Sequence, residues 1–194
     1  MFNYQQETDY IAAKLVEVIP MNNRLFFAKT FARERHGKQM YGEFPYFVHL
    51  DAVAKLAEPF GQSAIIVAQL HDVLEDTGTT YPELLIEFGD VIADAVCYVT
   101  DPILSTRPER KRVLNERLAT LDTVDEASRI ALIVKACDRL ANVKASRLFL
   151  PEQYEKYKQE HTAFRAAVYR PLLCDKIWVE LDWLIQNDEG YLNF

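Results

Sequence analysis

Leu70-His71-Asp72-Val73-Leu74-Glu75-Asp76-Thr77-Gly78 follows directly on the apolar run Ile65-Ile66-Val67-Ala68 and carries four ionisable side chains within six residues. Burying so many charges without partners costs several kcal/mol, so the fold must supply something to compensate them. On a helix, His71 and Glu75 stack at i,i+4, and so do Asp72 and Asp76. The stretch then offers a ligand pair one turn below a carboxylate pair. A divalent metal under the first pair and acid–base work at the second is the chemistry such an arrangement suits. Taken alone, the stretch reads equally as an exposed, acid-rich helix end.

The flanking sequence repeats its apolar residues almost everywhere with a helical period. Asp9 to Val18 sets Ile11, Leu15 and Val18 on one stripe, and Arg24 to His36 does the same with Leu25, Ala28, Phe31 and Ala32. Gly37 to Pro45, with two glycines and a proline, reads as a loop. A helix from about Tyr46 to Phe60 turns Val53, Leu56 and Ala57 inward and stops at Gly61; the next one carries the His-Asp pair. Capping-box patterns at Thr80/Glu83, Thr106/Glu109 and Thr123/Glu126 mark later starts. They predict helices over Tyr81–Phe88, Asp90–Val99, Arg107–Leu121 and Val124–Ser146. Pro151 opens another, and Pro171 opens the last, through Trp178 and Leu181 to Leu184. Strand signals are nearly absent, and the length and setting of Ala64 to Leu70 favour a buried helix. The expected fold is all-α, a bundle of about eight to ten helices.

The 194 residues, 49% hydrophobic and 26% charged, suit one domain with a substantial core. A net charge of −7 argues against a surface that grips nucleic-acid backbone, though a metal and a local basic patch leave room for a small anionic ligand. Cys97, Cys137 and Cys174 are too scattered for a thiolate site or a disulfide framework. Met1 to Pro20 has no basic flank or apolar signal core, and no run approaches a membrane span, so a cytoplasmic setting without a membrane partner is expected.

Two further residues stand out. His49 lies in the helix before His71, close enough in the chain for two imidazoles to share one ion. Asp138 interrupts Ile130-Ala131-Leu132-Ile133-Val134-Lys135-Ala136-Cys137, where a carboxylate needs a strong partner; Arg139 points about 100° away from it. Asn142, one turn further on, shares the Asp138 face. Two histidines and two aspartates make a mixed nitrogen–oxygen site suited to Mn, Fe, Co or Zn.

Three segments together resemble the HD-type metal phosphohydrolases, in particular the RelA/SpoT-like hydrolase domain and the stand-alone small alarmone hydrolases. They are His36-Gly37 with Pro45-Tyr46-x-x-His49, then His71-Asp72-x-x-Glu75-Asp76-Thr77, then Asp138-Arg139-Leu140-x-Asn142. The likeness runs over residues 24–147, with 151–194 as C-terminal helices packing on the same domain. The resemblance implies an HD-domain bundle holding one divalent ion, Mn²⁺, on His49, His71, Asp72 and Asp138. It implies that Glu75 and Asp76 position and deprotonate the attacking water and handle protons at the departing group. Asn142 would meet the nucleoside, and His36 would support the site loop.

The activity it implies is removal of the 3′-pyrophosphate from ppGpp or pppGpp, leaving GDP or GTP. Arg107-Pro108-Glu109-Arg110-Lys111-Arg112 resembles a basic segment that reaches the substrate phosphates in that family, which makes Arg107 and Lys111 candidates beside Lys38. The loop Lys38-Gln39-Met40-Tyr41-Gly42-Glu43 is one residue shorter than the commoner pattern and has only Lys38 basic. An adenosine alarmone, another nucleotide or phosphodiester, and a non-catalytic nucleotide sensor therefore stay open as alternatives. The Trp178/Trp183 stripe reads as core or as a contact with a second copy in a homodimer.

Overall fold

The computed structural model describes residues 21–187, so the amphipathic stripe over Asp9 to Val18 lies outside them. The order is α1 (Met21–His36), a two-residue hairpin of β1 (Met40–Tyr41) and β2 (Phe44–Pro45), α2 (Phe47–Ala57) running into a 3₁₀ turn (Glu58–Phe60), and α3 (Gln62–Leu70). Then follow α4 (Val73–Asp76), α5 (Tyr81–Phe88), α6 (Asp90–Val99), α7 (Arg107–Thr120), α8 (Glu126–Phe149), α9 (Pro151–Val168) and α10 (Asp175–Gln186). The all-α expectation holds; the sole sheet among the described residues is the hairpin, which pairs Met40 with Pro45 and Tyr41 with Phe44. Gly42 makes its tight turn at φ 61°, a conformation a side chain resists.

The 24-residue α8 is the axis of the bundle. It packs against α2, α3, α6, α9 and α10, which explains why it is apolar nearly all round: Ile130, Leu132, Val134, Leu140 and Val143 are all buried. On the outside, Asp51 of α2 ties three helices together. It pairs with Lys29 and Arg33 of α1, each at 2.8 Å, and accepts a bond from Gln69 of α3 at 3.0 Å.

Four local expectations need correction. The helix bearing His71 and Asp72 is not continuous, for α3 ends at Leu70 and a separate turn starts at Val73. Asp72 takes φ −105°, ψ 0°, and its carbonyl accepts the amides of Glu75 and Asp76. The 3₁₀ turn begins at Glu58, where Pro59 lacks the amide an α-helix would use. The start expected at Thr123 falls at Asp125, whose carboxylate caps the Ser128 amide at 2.7 Å, while Thr106 does cap the Glu109 amide as its box predicts. Pro171 does not open the last helix; Leu172 has φ 68°, and α10 begins only at Asp175.

Leu132 is fully buried in the middle of α8, so Leu132→Ala should lower unfolding free energy by about 2–5 kcal/mol in urea titration. At Asp51, burial alone would raise the pKa, but the Lys29 and Gln69 hydrogen bonds and the Arg33 charge hold it below the ordinary value. A lowered native pKa gives stability that is present above the unfolded value of about 3.9 and is lost as the pH falls through the native one. Asp51→Asn should therefore be less stable than wild type at pH 7, and the gap should close towards pH 3 in the same titrations.

Candidate metal centre and active site

His49 enters from the first turn of α2 and His71 from the C-terminus of α3, and their Nε2 atoms face each other at 3.2 Å. Asp138, midway along α8, brings Oδ1 to 3.3 Å from His49 Nε2 and 3.6 Å from His71 Nε2. Asp72 Oδ2 lies 3.0 Å from His71 Nε2 and 3.8 Å from His49 Nε2. On a regular helix His71 and Asp72 would diverge by about 100°; the break at Asp72 swings both side chains to one point. One donor atom each from His49, His71 and Asp138 falls within a 4.8 Å span.

The donors are matched to a cation. His71 Nδ1 bonds the Ala68 carbonyl at 2.8 Å, which makes Nδ1 the donor and leaves the Nε2 lone pair of the neutral ring facing inward. Burial pushes the His71 pKa down, but the Asp72 and Asp138 carboxylates outweigh it and raise it to about 10. The field that draws a proton to this point would draw a divalent ion as well, and such an ion would displace the proton.

Around the cluster, each donor is held from behind. Tyr46 donates its hydroxyl to Asp72 Oδ2 at 2.5 Å, and His36 stacks on the Tyr46 ring at 4.6 Å. His36 Nδ1 also meets Gln39 Oε1 at 2.7 Å, and Gln39 Nε2 donates to Asp76 Oδ2 at 2.7 Å. Tyr41 stacks on His49 at 4.8 Å and donates to Asn142 Oδ1 at 2.9 Å, while Asn142 Nδ2 donates to Asp138 Oδ1 at 2.5 Å. Asn142 thus lies at the cluster with its amide turned to Asp138.

Glu75 and Asp76 do not stack with the ligand pair one turn earlier in the chain; they part to opposite sides. Asp76 turns to the hairpin side through Gln39, and Glu75 turns to the α6–α7 connection, where Oε2 accepts the Asp101 amide at 3.1 Å. Burial, with the charges of Asp101 and Asp72, raises the Glu75 pKa, which suits a proton acceptor working near neutrality. Two cavities flank Tyr41. One, of about 570 Å³, is lined by Asn142, Ser146, Gln153, Lys156 and Tyr157. The other, of about 480 Å³, is lined chiefly by Phe44, Val48, Ala52, Ala141, Ala145 and Phe149.

The predicted basic residues are placed less simply. Lys38 is exposed on the turn after α1. Lys111 Nζ bonds both Asp101 carboxylate oxygens, at 2.7 and 3.0 Å. Arg107 forks onto Glu160 at 2.7 and 3.2 Å, and Arg139 shares that carboxylate at 3.0 Å. Lys144 and Arg147 turn away, to Glu180 and to the Asn187 carbonyl. Sequence reasoning overlooked Lys135, whose Nζ is 3.3 Å from Asp138 Oδ2 in a buried setting. Its signal was available: a lysine three residues before the aspartate, in the same apolar run.

A helical bundle that gathers two histidines and two aspartates around one buried point, with a carboxylate pair beside them, defines an HD-type metal phosphohydrolase. Comparison narrows the class. The chain is 36% identical over 165 residues to a guanosine-3′,5′-bis(diphosphate) 3′-pyrophosphohydrolase of Aquifex aeolicus, of which it spans 22%. It is 31% identical to the MESH1 enzyme of that name from Xenopus tropicalis and 32% identical to the human one, spanning 82% and 84% of them over 75% and 77% of this chain. Among solved structures, a metazoan SpoT ortholog superposes with a TM-score of 0.71 over 84% of this chain and 94% of that one, at 22% identity. A Listeria monocytogenes protein superposes with a TM-score of 0.58 over 73% and 98%, also at 22% identity. No family model matches. The chain belongs to the SpoT/MESH1 family of guanosine-3′,5′-bis(diphosphate) 3′-pyrophosphohydrolases.

Chelator-treated protein should gain thermal stability when Mn²⁺, Co²⁺ or Zn²⁺ is added, by about 2.7 kcal/mol at a hundredfold excess over Kd. Asp138→Ala should abolish that shift in differential scanning fluorimetry while leaving the far-ultraviolet circular dichroism helical.

Proposed function

We propose that the chain hydrolyses the 3′-pyrophosphate of ppGpp and pppGpp, with one Mn²⁺ held by His49, His71, Asp72 and Asp138. The observation that carries the reading is the convergence of those four side chains beside a raised-pKa glutamate. Its second support is the names of the relatives that the chain spans over four fifths of their length. What a divalent ion supplies in such a site is Lewis-acid charge beside the phosphorus and a more acidic water.

The chain's own groups supply the rest. Water attacks the phosphorus bonded to the 3′-oxygen, Glu75 takes its proton, and the bond to the 3′-oxygen breaks. Asp76, on the opposite side, serves the proton that the departing 3′-oxygen needs. Asn142, which lines the 570 Å³ cavity beside Tyr41, borders the nucleoside, and Lys38 meets solvent-side phosphate. Lys135, 3.3 Å from Asp138 Oδ2, holds positive charge behind the carboxylates, which offsets the charge that develops in the transition state. Among the described residues, no helix is long and apolar enough to cross a membrane, and we infer a cytoplasmic enzyme working on a free nucleotide.

One observation favours a second reading of the base. The cavity between the hairpin and α8 is lined mostly by apolar side chains with Tyr41, Glu43 and His49 as its ionisable groups, so it presents no lysine or arginine to stack on or contact guanine. An adenosine counterpart of ppGpp would fit that lining as well.

The test is to incubate Mn²⁺-loaded protein with ppGpp, its adenosine counterpart and a nucleotide panel and to separate products by anion exchange. GDP plus pyrophosphate, abolished by chelator, is the expected result; phosphate released from another nucleotide alone would overturn it. Glu75→Gln should retain the metal-induced stability and lose activity by about 10²–10⁴-fold.

A further inference from the structure

The basic face of α7 reads in sequence as a set of phosphate ligands, but its best-buried cation is already engaged. Lys111 gives two hydrogen bonds to Asp101, and Arg110 Nε stands 3.8 Å from the same carboxylate. The Asp101 side chain is 4% exposed, so this is an interior ion pair and not a loose surface contact. Breaking such a pair leaves a buried charge without a partner. The backbone amide of that same aspartate donates to Glu75 Oε2.

We propose that Asp101 and Lys111 are positioning residues for Glu75: the ion pair pins the α6–α7 connection to α7, and the pinned connection offers its amide to the Glu75 carboxylate. This rests on the assignment of Glu75 as the proton acceptor, but it makes a claim of its own, that Lys111 acts through Asp101 and does not bind substrate phosphate. Three features of the connection support it. Thr100 and Cys97 give their carbonyls to Arg117 of α7 at 3.0 Å each, so the start of the connection is tied to the same helix. Ile103, beyond Pro102, is fully exposed, so apolar burial of the connection's tip does not hold it in place. Among the described residues, the hydrogen-bond donor to the Glu75 carboxylate is the Asp101 amide.

A phosphate ligand and a positioning residue leave different marks. Removing a phosphate ligand weakens substrate binding and raises KM; removing a device that orients the proton acceptor lowers kcat. Lys111→Met should lower kcat at least tenfold with KM for ppGpp within twofold, and Lys111→Arg, which restores a cation to Asp101, should recover most of the rate. A raised KM with kcat kept would overturn the proposal, and so would a Lys111→Arg variant as slow as Lys111→Met.

The second readout needs no substrate and decides the matter even if ppGpp is not turned over. In full-length protein, hydrogen exchange at the Asp101 amide should speed up at least tenfold in Glu75→Ala and likewise in Lys111→Met, with the amides of α8 unchanged. Unaltered protection of the Asp101 amide in both variants would refute the link. Absence of turnover by wild type with accelerated exchange in the variants would instead retain the link and remove the substrate assignment.

Discussion

The structure depends on one electrostatic constraint: two imidazole Nε2 atoms and two carboxylates meet at a single buried point. Carboxylate oxygens are acceptors only, and with its Nδ1–H given to Ala68 the His71 ring turns Nε2 inward, where the Asp72 and Asp138 carboxylates favour positive charge, a proton on that nitrogen or a metal ion in its place. Such a cluster is unfavourable in an apolar interior until positive charge enters it. Lys135 supplies some of that charge from below, on the far oxygen of Asp138. A divalent ion bound by these donors would meet the remainder of the demand. The bundle is built around this demand, because the donors come from α2, the α3–α4 break and α8, and α8 packs on both α2 and α3.

That arrangement sets how much of the molecule could be read from the chain. Helix positions were legible because burial imposes a period, and Tyr81–Phe88 and Asp90–Val99 fall where the pattern puts them. His49 and Asp138 stand out in the sequence as polar residues in apolar helices, and His71 and Asp72 as part of a cluster of charges that needs compensation. The His71–Asp72 break was not legible. Periodicity sees a continuous helix there, and no local pattern marks the turn at His71-Asp72, where Asp72 takes φ −105°, ψ 0° and lets the two adjacent side chains reach one point. The contacts of Tyr41 and Asp101 were not legible for a different reason. Each residue acts by touching another functional residue from a distant segment, and no local pattern encodes such a contact.

The same distinction separates charges that face substrate from charges that face protein. Arg107, Arg110 and Lys111 are spaced to present a basic stripe on a helix start, and sequence alone cannot tell which of them is already neutralised. Glu160 answers Arg107 and Arg139 together, and Asp101 answers Lys111. Burial alone would raise the Glu160 pKa, but the Arg107 hydrogen bond and the Arg139 and Arg107 charges pull it down, so it stays a carboxylate able to hold both guanidinium groups. α7 and α9 are thereby braced against α8 by charge near the site, where a purely apolar contact would slide more easily. A basic segment in this setting serves geometry first.

Precision at Glu75 is where that geometry has most consequence. A general base contributes only when it lies within hydrogen-bond reach of the proton it removes, and misplacement by about 1 Å is enough to cost a hundredfold in rate. Glu75 stands on a four-residue helix, an element too short to orient a side chain by its own stiffness. Its direction must come from outside, and the contact that provides it is a backbone amide whose position depends on a buried ion pair two helices away in sequence. The carboxylate that the chemistry needs most mobile in proton affinity is thus the one fixed most indirectly in space.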